Sequence, residues 1–92
     1  MKLLTLNCHS LLSPAYSRDC ENFVREVLRL RPDLIALQEV NQTRTAPPAA
    51  GDLAGWTPPA AGALLRADNH ALRVARMLQE AGWPVHWTWA FA

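Results

Sequence analysis

Two short stretches carry side chains suited to metal chemistry: Asn7-Cys8-His9 and Gln38-Glu39. Each follows an apolar run of strand length, Leu3-Leu4-Thr5-Leu6 in one case and Leu34-Ile35-Ala36-Leu37 in the other. If those runs are neighbouring parallel strands, they lie ~4.8 Å apart and end on the same edge of the sheet. Ligands in open α/β sheets bind at that carboxyl edge. The Asn7 amide oxygen and the Glu39 carboxylate could then reach one point above it. Two oxygen ligands, one of them charged, leave most of a coordination shell open. Magnesium is usually held that way, by one or two carboxylates, waters and a substrate phosphate. A metal there would polarise a phosphoryl oxygen and steady a leaving group. Plainer roles exist for both residues: an Asn after a strand is often a turn residue, and a Glu there is often solvated.

His9, two residues past Asn7, is the one further candidate, able to touch a phosphate or a metal-bound water. A loop histidine bonded to backbone is the alternative. His70 reads as exposed at a helix start, and His86 as a surface or inter-layer residue on the polar side of a strand. No histidine has a Ser or Cys partner at a recognisable nucleophile elbow. Cys8 and Cys20 show no CxxC spacing and no paired motif for zinc. Strand alternation turns Cys8 away from Asn7, toward a packed-thiol role.

These residues depend on the elements that would carry them. Lys2–Leu6 reads as a strand. From about Arg18, Cys20, Phe23, Val24, Val27 and Leu28 recur at the spacing of one buried helical stripe. Pro32 ends that helix. Leu34–Leu37 is continuous rather than alternating, which predicts a strand buried on both faces. The result is strand, helix, strand, with parallel strands and a right-handed crossover.

Residues 46–63 break the pattern: Ala, Pro and Gly fill fourteen of the eighteen positions. Pro47-Pro48 and Pro58-Pro59 exclude helix and strand interiors alike. The reading is an exposed, variable surface loop pinned by Trp56. A second helix starts at Asp68-Asn69, either of which can cap it. Its stripe is Ala71, Val74, Ala75, Leu78 and Ala81, and Gly82 then Pro84 close it. Arg73 and Arg76 share a face that reads as solvated. From Val85 to Phe91, Val85, Trp87, Trp89 and Phe91 alternate with smaller or polar residues, as in a strand with one buried face.

Ninety-two residues, half of them hydrophobic, 18% charged and with a formal net charge of +1, fit one small domain. The composition excludes a disordered tail, and nine Lys and Arg against eight Asp and Glu exclude a dedicated nucleic-acid arm. No apolar run approaches the ~18 residues of a membrane span. The amino-terminal apolar stretch is too short for the ~7–15-residue core of a signal peptide. A soluble, cytoplasmic protein is expected, with both thiols reduced. The apolar end, Trp87 to Ala92, reads as a chain interrupted inside a fold.

The wider string Leu4-Thr5-Leu6-Asn7-Cys8-His9-Ser10, followed by a helix and then Pro32-Asp33-Leu34-Ile35-Ala36-Leu37-Gln38-Glu39-Val40, resembles the opening of the endonuclease/exonuclease/phosphatase superfamily. Its members include deoxyribonuclease-type nucleases and other metal-dependent phosphodiesterases and phosphatases. The Asp68-Asn69 helix and Trp87-Thr88-Trp89 resemble one bacterial branch. The resemblance covers about 2–40 and 68–91 and skips the loop. It implies a hydrolase acting on a phosphodiester or phosphomonoester, with Asn7 and Glu39 as ligands of Mg2+ or Mn2+. It implies that residues 1–92 are the amino-terminal part, strand-helix-strand-loop-helix-strand, of a four-layer α/β/β/α sandwich. Family members are much longer. Their general base, their water-positioning Asp/Asn pair and their Ser-Asp-His element have no counterpart here. The resemblance therefore implies the metal half of a site, in a fragment inactive alone that a carboxy-terminal half would complement. The substrate class stays open among nucleic acid, phospholipid head group and sugar or inositol phosphate. A different class of reading is a non-catalytic remnant that acts only by binding a partner.

Overall fold

The computed structural model describes residues 1–8, 16–60 and 62–89. Two strands and two helices form in the order β1 (Leu3–Asn7), α1 (Tyr16–Leu30), β2 (Leu34–Gln38) and α2 (His70–Glu80). Among the described residues the chain is a small mixed α/β structure with one sheet, a parallel pair of β1 and β2. It divides into two compact units, Met1–Asn41 and Gln42–Ala92. No helix among the described residues is long and apolar enough to cross a membrane.

In the first unit the strands pair in register from Leu3 opposite Leu34 to Asn7 opposite Gln38. The Cys8 N–H donates to the Gln38 carbonyl at 2.8 Å, carrying the pairing one residue past β1. Helix α1 buries Cys20, Val24 and Val27, with Phe23 and Leu28 half-buried, which is the stripe read from the sequence. It ends as Pro32 requires: Arg31 turns left-handed (φ 49°) and donates its N–H to Val27. Lys2 Nζ donates to the Leu30 carbonyl at 2.6 Å and the Asp33 N–H to the Lys2 carbonyl at 2.8 Å. These bonds hold the carboxyl end of α1 beside the start of β1.

The apolar run of β2 is not buried on both faces, contrary to the sequence expectation. Ile35 and Leu37 are half-buried, whereas Leu34 and Ala36 are exposed, as are their register partners Leu3 and Thr5. Leu3 and Leu34 are 56% and 54% exposed. A continuous apolar run permits burial on both sides, but burial needs a layer on each side, and this face meets solvent.

The second unit gathers its core from α2 and the loop before it: Ala54 and Leu65, then Leu72, Val74, Ala75 and Leu78. The Asn69 side chain accepts from the Leu72 N–H, an N-cap, while its Nδ2 donates to Gln42 Oε1 at 3.0 Å. Asn69 is completely buried, so both bonds offset a desolvation cost. The stripe of α2 is wider than the spacing predicts. Leu72 is fully buried, whereas Ala71 is half-buried and Ala81 exposed.

The 46–63 segment is more than an exposed variable loop. Arg76 Nη2 donates to the carbonyls of Ala50 and Asp52, Gln79 Nε2 to the Asp52 carboxylate, and Arg66 Nη1 to the Ala46 carbonyl. Arg76 is therefore a half-buried tie and not part of a solvated face. Pro48 forms an isolated antiparallel bridge with Arg66. Proline is tolerated because the two bonds come from its neighbours: Ala49 N–H to Leu65 and Ala67 N–H to the Pro47 carbonyl.

The strand expected over 85–91 does not form in the described part, up to Trp89; Ala90 and Phe91 lie outside the described residues. Trp87 makes one parallel bridge, to Trp56, through Trp87 N–H to Gly55 and Thr57 N–H to Trp87. Pro58 and Pro59 follow at once, and neither has an N–H to extend the ladder. The side-chain alternation is nonetheless kept: Val85, Trp87 and Trp89 are half-buried, while His86 and Thr88 are exposed.

Candidate metal centre

Parallel pairing places the ends of β1 and β2 on one edge of the sheet. Asn7 is opposite Gln38, so Glu39 is the next residue along from Asn7's partner. Both Asn7 and Glu39 are exposed, and each is engaged in interactions of its own. Glu39 takes a left-handed backbone (φ 55°), which ends the extended path at Gln38. For a residue with a Cβ that conformation costs about 1–2 kcal/mol. Strain of this kind persists where its surroundings impose it, and it concentrates at functional sites. One carboxylate and one amide oxygen at the end of a parallel pair suit a hard, oxygen-seeking cation such as Mg2+ or Mn2+. Among the described residues, no three His, Cys, Asp or Glu side chains converge on a point that could hold a metal. Asn7 and Glu39 are thus two candidate oxygen donors at this edge, with no third described side chain converging on them. His9, the third candidate, lies outside the described residues.

Cys8 is half-buried beside this edge. Its thiol is pushed up to about 11, first by burial, then by Cys20 and by the negative charge of Glu39. At neutral pH it is a packed thiol and not a nucleophile.

Asp68, Asn69 and the tryptophans have structural partners within the second unit. Asp68 accepts the Thr43 N–H at 3.1 Å, and Asn69 caps α2. The Trp56 and Trp87 rings lie 6.3 Å apart at 42°, and Trp87 Nε1 donates to the Ala54 carbonyl at 3.0 Å. Both rings are half-buried, which for Trp87 is the packing role that alternation predicts. Trp56 Nε1 is buried with no hydrogen-bond partner among the described residues.

His86 is exposed, as expected, but His70 is not: it is only 6% exposed, at the first position of α2. Burial, and secondarily Arg73, lower its pKa from the ordinary 6.5. The unfolded chain therefore takes up a proton near pH 6.5 before the folded chain does. The associated stability is present above that pH and is lost as pH falls from it through the lowered folded value. Asp52, held below its ordinary 3.8 by the Ala54 N–H and Gln79, contributes a loss only at more acidic pH. Urea midpoints between pH 7.5 and 5 should fall for the parent and stay flatter for His70→Gln. Parallel slopes for the two proteins would show that His70 titrates alike folded and unfolded.

No protein-family model matches the chain, and neither a curated protein nor a solved structure does.

Proposed function

We propose that the chain carries the metal-binding half of a divalent-metal-dependent phosphoesterase centre. The observation that supports this reading is the parallel register that brings Asn7 and Glu39 to one sheet edge. The Glu39 carboxylate supplies the charge that holds the cation, and the Asn7 amide oxygen supplies a second ligand. A Mg2+ or Mn2+ bound there would stabilise negative charge on a phosphoryl group during hydrolysis of a phosphodiester or phosphomonoester. The substrate is nucleic acid, a phospholipid head group or a sugar or inositol phosphate. The rest of the proposal is a four-layer α/β/β/α sandwich, of which these residues are the amino-terminal part. Activating an in-line water needs a positioned base, and a pair of metal ligands does not provide one. This chain alone is therefore expected to show no turnover of an activated phosphodiester with Mn2+. Turnover that disappears in Glu39→Gln would overturn that expectation.

Metal binding is read directly by the loss of free Mn2+ signal in paramagnetic resonance. Glu39→Gln should weaken Mn2+ binding by roughly tenfold or more, which corresponds to ~1.4 kcal/mol or more. Asn7→Asp should tighten it by adding a second carboxylate. If the Glu39→Gln protein is folded and binds Mn2+ as the parent does, the proposed centre is wrong. A second reading rests on the exposed Leu3 and Leu34 of the sheet. In it the chain is non-catalytic and acts only by binding a partner.

A further inference from the structure

We propose that residues 50–54 are a hinged strap that opens and closes on α2 as a unit, with Arg76 as its latch. The strap lies between two backbone anchors within the second unit. Upstream, the Ala49 N–H donates to the Leu65 carbonyl at 2.8 Å, beside the bridge of Pro48 to Arg66. Downstream, the Trp87 N–H donates to the Gly55 carbonyl at 3.2 Å, and the Thr57 N–H to the Trp87 carbonyl at 2.9 Å.

Between the anchors, the hydrogen bonds that tie the strap to the rest of the unit come from side chains. Arg76 Nη2 donates to the Ala50 carbonyl at 2.9 Å and the Asp52 carbonyl at 3.1 Å, and its Nε donates to the Asp52 carbonyl at 3.3 Å. Gln79 Nε2 donates to the Asp52 carboxylate at 3.1 Å, and Trp87 Nε1 to the Ala54 carbonyl at 3.0 Å. The strap can therefore lift without breaking a ladder. Its apolar hold is small: Ala50, Gly51 and Asp52 are exposed, Leu53 is half-buried, and Ala54 alone is buried. Segments with few buried apolar groups and exposed hydrogen bonds open at the low-stability end of a fold.

The strap is built to move as one piece. The Ala54 N–H donates to Asp52 Oδ1 at 2.9 Å, which closes a turn inside it. Gly51 and Gly55 flank that turn at φ +76° and +87°, and nothing lies within 4 Å of a Cβ added at Gly51. Glycine pivots there at little steric cost. Arg76 is the latch because its donors are charged, and charged donors make the stronger bonds. Its planar fork also spans two carbonyls, which a lysine ammonium would not reproduce. Opening frees the Arg76 guanidinium and the Gln79 amide on one flank of α2 and exposes Ala54.

Hydrogen exchange of the full chain, followed residue by residue by NMR, tests this independently of the metal centre. The Ala54 amide and the Trp87 indole N–H report on the strap. The Ala49 and Trp87 main-chain amides report on the anchors, and the Leu78 amide reports on α2. Relative to intrinsic rates, the strap reporters should exchange roughly a hundredfold or more faster than the anchors and α2. Low urea should leave strap exchange unchanged and accelerate exchange in α2, because a local opening exposes little surface. Arg76→Gln should speed the strap reporters by roughly tenfold more and leave the others within about threefold. A single rate and a single urea dependence for strap and α2 would overturn the proposal, since the strap would then open only when the unit unfolds. So would an Arg76→Gln protein in which strap exchange is unchanged, or in which strap and α2 accelerate alike. The comparison within the parent chain decides the matter even if Arg76→Gln does not fold.

Discussion

Leu72→Ala should destabilise the second unit by about 2–5 kcal/mol, the range for truncating a fully buried leucine. The side chain is 0% exposed, and its own N–H is the one that Asn69 caps. Two features therefore meet at this residue: the packing of the α2 flank and the start of the helix. Ala71, one position earlier, is half-buried, and Ala71→Ser should change stability by no more than ~0.5 kcal/mol. Urea unfolding followed by tryptophan emission measures both, with the slope checked for constancy. A loss below ~1 kcal/mol for Leu72→Ala would mean that this flank of α2 is open in solution.

Gly55→Ala is the second large effect, and its origin is backbone geometry. Gly55 has φ +87°, where a Cβ costs about 1–2 kcal/mol by itself. A Cβ there would also collide with the Val85 carbonyl oxygen, and a backbone atom cannot swing aside as a side chain can. Relief requires separating the two segments that the Trp56–Trp87 bridge joins, including the bond from the Trp87 N–H to the Gly55 carbonyl. The expected total is about 3 kcal/mol, with red-shifted tryptophan emission. Gly82→Ala is the internal control. Its φ is +85°, but nothing lies within 4 Å of the added Cβ, so it should cost only the conformational part. Equal losses for the two variants would show that the close approach at Val85 is absent in solution.

Local order was largely legible in the sequence because it follows from interactions near in the chain. The stripe Cys20–Val24–Val27 and the stop at Pro32 predict α1, and both are observed. Asn69 caps α2 because its short side chain reaches an N–H three residues on, a purely local event. The pairing of the strands was legible too. A crossover helix leaves two short strands parallel, and the carboxyl ends of such a pair must share an edge. Asn7 and Glu39 fall at those ends by their position in the chain alone.

What the tertiary structure decided concerns partners distant in sequence. Leu34–Leu37 is apolar enough for two buried faces, yet one face is exposed, because burial depends on what packs against a strand. The Val85–Trp89 segment keeps the alternation of a strand without the ladder, because the segment it meets runs into Pro58-Pro59. His70 is polar and sits at a helix start, yet it is buried, and the loop read as variable is tied down by Arg66, Arg76 and Gln79. Periodicity records which side of an element prefers to be dry. Whether that side is covered, and by what, is set by contacts between residues that the sequence separates by twenty or more positions, as in Arg76 to Ala50.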